Sequence, residues 1–151
     1  MSGFDAWERK FTEENLMRSV QSALDHAIQY GAQRMADHIE TRGTGNVWNG
    51  DFGRLENGRP GRTGSIPGRV ASGTMRDAVD SKITKRTATT VAGEMGWLEG
   101  SPEYAMFQEL GFKNALTGAS VDGMFALRDS SEEAWEMFKD ELAQIVKEYT
   151  R

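Results

Sequence analysis

The stretch Ser81-Lys82-Ile83-Thr84-Lys85-Arg86-Thr87-Ala88-Thr89-Thr90-Val91-Ala92-Gly93-Glu94-Met95-Gly96-Trp97-Leu98 decides the fold class. Ile83 alternates with lysine and threonine, and Val91, Gly93, Met95 and Trp97 share one face at a period of two. That is the spacing of strands with one buried face. Two strands, residues 81–88 and 90–98, joined by a hairpin near Ala88-Thr89, are the expected reading. The flanking elements show helical spacing, so this pair separates an α+β fold from an all-helical one.

Upstream, Ser72 to Val79 suits a short helical turn, and before it residues 42–73 lack any apolar period. Nine of the 17 glycines and two of the three prolines fall between Gly43 and Gly73. Residues 41–73 carry Arg42, Arg54, Arg59, Arg62 and Arg69 against Asp51 and Glu56, with no lysine. A segment of this length without elements of its own is expected to be a functional arm or a mobile loop. Further upstream, Leu16, Val20, Leu24, Ile28, Met35 and Ile39 recur mostly at steps of four or seven. They predict one long helix over Glu13–Thr41, with Trp7 and Phe11 extending the stripe and Gly43 as its stop.

Downstream, Ser101-Pro102-Glu103 has the form of a helix start, a hydroxyl cap followed by proline and an acid. The spacing predicts a helix over 102–110 ending at Gly111, then a loop over 112–123. Met124-Phe125-Ala126-Leu127 is an apolar run that fits a strand or the entry to the last helix. In that last helix Ser130 and Glu133 have the spacing of a capping box. Trp135, Phe138, Leu142, Ile145 and Tyr149 follow at steps of three and four.

The expected architecture is α+β: a long N-terminal helix and a C-terminal helix packed on a small antiparallel sheet, in one domain over 1–151. Part of 124–128 is expected to add a third strand. The expected core is Leu24, Ile28, Ile83, Val91, Met95, Tyr104, Phe107, Phe125, Trp135, Phe138, Leu142 and Ile145. Trp97 and Leu110 are expected at an edge or interface.

Composition narrows the chemistry. The chain of 151 residues carries a net charge of −5 and no cysteine, which removes disulfides, thiolate metal sites and cysteine nucleophiles together. His26 and His38 are twelve residues apart on the first helix, so they differ by about 120° around its axis and cannot share a metal. The run Gly58-Arg59-Pro60-Gly61-Arg62-Thr63-Gly64-Ser65 has neither the lysine nor the flanking strand and helix of a phosphate loop. The remaining carboxylates are dispersed. The expectation is therefore a protein that is no enzyme and needs no cofactor or metal. Met1 to Lys10 lacks an apolar leader, and no run is long enough to span a bilayer, so a soluble chain made in the cytoplasm is expected. The arginines of the arm, with Trp48 and Phe52 among them, suit contact with a neighbouring subunit or with DNA phosphates.

Over residues 73–151 the order of motifs resembles a known family. Gly73-Thr74-Met75-Arg76-Asp77-Ala78-Val79 resembles a glycine–x–leucine–arginine–x–serine–isoleucine turn. A hairpin follows, then Tyr104-Ala105-Met106-Phe107-Gln108-Glu109-Leu110-Gly111, a short apolar run and an amphipathic last helix. This order is similar to the neck and tail-completion proteins of long-tailed double-stranded DNA bacteriophages. The resemblance implies a non-catalytic virion subunit that forms a homo-oligomeric ring, a hexamer or dodecamer, at the head–tail junction. Its partners would be the adjacent head-closure or connector protein and the tail-terminator or tail-tube protein. DNA would pass through the lumen without sequence readout, and no membrane would be involved. Arg42, Trp48, Phe52, Arg54, Arg59, Arg62, Arg69, Trp97, Leu110 and Phe112 are the expected subunit or partner contacts. Two alternatives are a tail terminator ring and a DNA-binding accessory protein that uses the arginine arm.

Overall fold

A computed structural model describes residues 13–42, 74–113, 115, 118 and 120–150. The arm, apart from Arg42, lies outside the described residues, as do Trp7 and Phe11. The fold is α+β, with two long helices and small antiparallel sheets. Helix α1 (Glu13–Thr41) has the bounds that the apolar stripe predicts. At 29 residues it is about 43 Å long. A single turn, α2 (Thr74–Asp77), follows and buries Met75. Next come β1 (Asp80–Arg86) and β2 (Val91–Gly96), paired antiparallel from Asp80↔Gly96 to Arg86↔Val91.

The turn between them sits where the sequence puts it. The Thr87 N–H donates to the Thr90 carbonyl (2.8 Å), while the Thr87 hydroxyl oxygen accepts the Thr90 N–H (2.9 Å). Such a side-chain bond mimics a backbone turn. The register slips between Ile83 and Lys85, an extra residue that bends and twists β1. One face of the hairpin lies on α1. At Gly93 the hairpin comes close to α1: a Cβ there would stand 2.8 Å from Ile28 Cδ1.

The last third of the chain departs from the expectation. Helix α3 (Ala105–Leu110) does stop at Gly111, whose φ of 83° belongs to the left-handed region. It begins three residues later than Pro102, however, with Tyr104 at the cap position and no side-chain cap bond. Where the sequence predicts a loop, β3 (Gly111–Lys113) pairs with β4 (Ser120–Asp122) as a second two-stranded sheet. Residues 124–128 add no strand. Met124 and Phe125 instead donate their N–H groups to the carbonyls of Gln108 (2.9 Å) and Glu109 (3.1 Å) at the end of α3.

Helix α4 (Ala126–Tyr149) starts four residues before Ser130. The capping box is not made. Ser130 is fully buried inside the helix and donates its hydroxyl to the Leu127 carbonyl (3.1 Å). A carboxylate from α3 occupies the helix start instead, and Glu133 turns toward α1.

Helices α1 and α4 run antiparallel. Arg42 meets Asp129, Arg34 and His38 meet Glu133, and His26 meets Glu141. The two helices approach closely at Gly31, where a Cβ would stand 2.8 Å from the Cβ of Ala134. The innermost cluster is Met35, Ile39, Met75, Ala105, Met124 and Ala126, with Val79, Met95, Trp97 and Leu127 packed on it. Of the expected core, Ile28 is buried, while Leu24, Ile83, Val91, Met95, Phe125, Phe138, Leu142 and Ile145 are half-buried. Tyr104, Phe107 and Trp135 are exposed. The helical period places them on a face, but it cannot say which face meets the rest of the chain.

Candidate interaction surface

The inversion in α3 is the unusual feature of this molecule. Residues four apart share a helix face. The pair turned inward is Ala105, fully buried, and Glu109, 8% exposed. The large apolar side chains point the other way: Met106 is 68% exposed, Phe107 57% and Leu110 64%. Tyr104 and Phe112 extend the same surface. The Phe107 and Phe112 rings meet edge to face with centroids 6.2 Å apart, which joins α3 and β3 into one patch. With roughly 150–250 Å² on a large side chain, these five leave on the order of 500 Å² of apolar surface in water. Patches of that size on a folded chain are commonly contact surfaces.

Glu109 explains why this helix faces outward. Its Oε1 accepts the backbone N–H groups of Leu127 (3.0 Å) and Arg128 (3.2 Å). These are free donors of the first turn of α4, and a negative charge there also meets the positive end of the helix dipole. The other oxygen, Oε2, is buried without a hydrogen-bond partner. Gly123 permits the junction. A Cβ there would stand 2.6 Å from the Glu109 carbonyl oxygen and 2.8 Å from the Leu110 carbonyl carbon. Phe125 takes a left-handed φ of 50° at the cap of α4, a position that costs a non-glycine residue about 1–3 kcal/mol. Several contacts hold it there. Its N–H binds Glu109, its carbonyl accepts from Asp129 N–H, and the Arg128 guanidinium sits 4.3 Å above its ring.

Arg42, an expected partner contact, is engaged within the chain. Its guanidinium donates to the Met124 carbonyl (2.6 Å) and to Asp129 Oδ2 (2.7 Å), fastening the end of α1 to the start of α4. Trp97 is half-buried, and its Nε1–H donates to the Met75 carbonyl (2.8 Å). Leu110 and Phe112 belong to the exposed patch. Trp48, Phe52, Arg54, Arg59, Arg62 and Arg69 lie outside the described residues.

A second region is acidic. An open cavity of about 850 Å³ is lined by Tyr30 and Arg42 at the α1 side and by Asp129, Glu132, Glu133, Glu136, Asp140 and Glu141 of α4. Glu133 is held below the usual glutamate range, chiefly by the Arg34 hydrogen bond (2.5 Å), against the opposing effect of burial, with His38 adding to it. Asp129 is lowered by the Arg128 hydrogen bond first and by Arg42 next. Neither histidine is paired with the other: His26 Nδ1 lies 2.6 Å from Glu141 Oε1, and His38 Nε2 lies 2.8 Å from Glu133 Oε1. Among the described residues no three histidine, aspartate or glutamate side chains gather as a metal ion would require. Nor is any described helix long and apolar enough to cross a membrane.

The Glu133 clamp gives the fold a predictable acid limb. Glu133 binds its proton more weakly when folded than when unfolded, so the unfolded chain takes up more protons as pH falls below about 4.3. The stability from the clamp is complete above that pH and is lost as pH drops through the lower native value. Urea unfolding of the wild type and Glu133→Gln at pH 6 and pH 3 should therefore show a gap that narrows in acid. A gap that stays constant between the two would contradict this account.

Gly123 carries no mark in the sequence, and Glu109 stands out there only as part of the Tyr104–Gly111 motif. The available signal was an acid four residues from a small alanine, in a helix whose other side chains, Gln108 apart, are large and apolar. No family model, no curated protein and no solved structure matches the chain.

Proposed function

We propose that this chain is a structural subunit of a ring at the head–tail junction of a long-tailed phage, in the neck or at the completed tail end. It works by contact, not by catalysis. The observation that carries the reading is the α3–β3 face. Residues 104–111, which bear the resemblance to neck and tail-completion proteins, are also the residues whose large apolar side chains stand in water. A surface of this kind is expected on a subunit that is covered once assembled. Its partners are further copies of itself, the head-closure or connector protein on one side, and a tail-terminator or tail-tube protein on the other. The acidic outer side of α4, with Glu132, Glu136 and Asp140 exposed, suits a channel wall. Carboxylates there would repel phosphates and leave the DNA free to slide.

The particle itself is the test. Virions made with the gene should contain the chain in several copies by quantitative mass spectrometry. Virions made without it should give filled heads and separate tails in electron micrographs. Joined, infectious particles assembled without the chain would overturn the reading.

A further inference from the structure

Among the described residues the α3–β3 face is one of two exposed apolar surfaces that span more than one large side chain. The other runs down α4. Trp135 and Val146, eleven residues apart, fall within about 20° of each other around the helix, and Phe138 lies about 60° to one side of Trp135. Trp135 and Val146 are each 57% exposed, and the Trp135 and Phe138 rings stack at a tilt with centroids 5.9 Å apart. This stripe lies to one side of the buried α4 face made by Ala126, Ser130 and Ala134. It also extends far from the α3 face: Val146 is about 28 Å along the helix axis from Leu127, where Glu109 grips the start of α4.

We infer that the α3 face of one copy, through Met106, Phe107 and Leu110, docks on the α4 stripe of the next copy. The inference rests on the ring reading above and specifies its contact. Area supports a second copy as the occupant. A standard interface buries about 800 Å² per partner, somewhat over half of it apolar, and the α3–β3 patch supplies an apolar area of that order. Pairing two α3 faces with each other would leave both α4 stripes in water. A head-to-tail contact covers both surfaces of every subunit with one kind of interface, and such a contact closes into a ring when its rotation allows.

The test uses two single variants of the full chain, Phe107→Asp and Val146→Asp, followed by light scattering across a concentration series. Both side chains are more than half exposed, so each variant should keep the wild-type circular dichroism and melting profile. Met106→Asp and Trp135→Asp serve as the second pair if either melts early. The wild type should associate into species larger than its 16.8 kDa monomer. Each variant alone should stay monomeric, with association weakened at least tenfold. An equimolar mixture should form a dimer and nothing larger, because one intact α3 face meets one intact α4 stripe and the two remaining faces are spoiled. Three results overturn the pairing: a Val146→Asp chain that assembles like the wild type, a Phe107→Asp chain that does so, or a mixture that remains monomeric. A wild type that stays monomeric at its solubility limit also overturns it, and the ring reading is then decided by the particle experiment alone.

Discussion

Replacing Gly31 by leucine should destabilise the protein by about 3 kcal/mol, the upper part of the range for overpacking a closed site. The reason is local. Gly31 is buried where α1, α4 and β2 meet, and the first carbon of any side chain there would press on the Ala134 Cβ and on the Met95 thioether. Met95 is flexible and can move aside. Ala134 cannot, since its Cβ is fixed to the α4 backbone. Leucine therefore has to push the helices apart, which weakens the Arg34–Glu133 and His38–Glu133 pairs together. For a chain of this size the loss lowers the melting temperature by roughly 6–12 °C. Gly31→Ala is the informative control. Alanine gains up to about 1 kcal/mol of helix propensity over glycine, and this offsets much of the clash. Combining it with Ala134→Gly removes the clash, so the double variant should be more stable than the sum of the two single changes. Additive behaviour in that cycle would mean that the helices do not meet at this point.

Glu109→Ala should cost about 2–3 kcal/mol, since it removes a helix cap and leaves two donors at a buried junction without an acceptor. The effect should also be seen residue by residue. Leu127 and Arg128 donate their N–H groups to Glu109 Oε1, so their amides should lose hydrogen-exchange protection before those in the middle of α4. Glu109→Gln keeps an acceptor oxygen in the same place and should recover most of the loss. If glutamine is as damaging as alanine, then the negative charge at the helix terminus matters more than the hydrogen bonds. If alanine is harmless, α4 is capped by other means and the outward face of α3 needs a different explanation.

How much could be read in advance depended on the physical range of each signal. The bounds of α1, the hairpin at residues 87–90 and the stop at Gly111 come from interactions within a few residues, and the sequence displays them. The start of α4 shows the opposite case. Ser130 and Glu133 had the local spacing of a capping box, but Glu109 lies some twenty positions upstream and took that role through a contact that no short window contains. Once the start was moved to Ala126, Ser130 fell inside the helix, and Glu133 was available to Arg34 and His38. The candidate surface followed the same rule. Leu110 and Phe112, expected as contacts, are exposed, and so are Tyr104, Phe107 and Trp135, which helical spacing alone places in the core because hydrophobic residues at that spacing usually face inward.

The sequence alone determined which segments are helical, where the hairpin turns, the absence of cysteine chemistry and the concentration of arginine and glycine in one stretch. Each of these follows from composition or from energies that act between near neighbours in the chain. Tertiary structure decided which side of α3 is dry, why Gly31 and Gly123 must lack a side chain, and how the last helix begins. Those features depend on atoms brought together from distant positions, and a periodic pattern identifies the two faces of a helix without saying which one the rest of the molecule will cover.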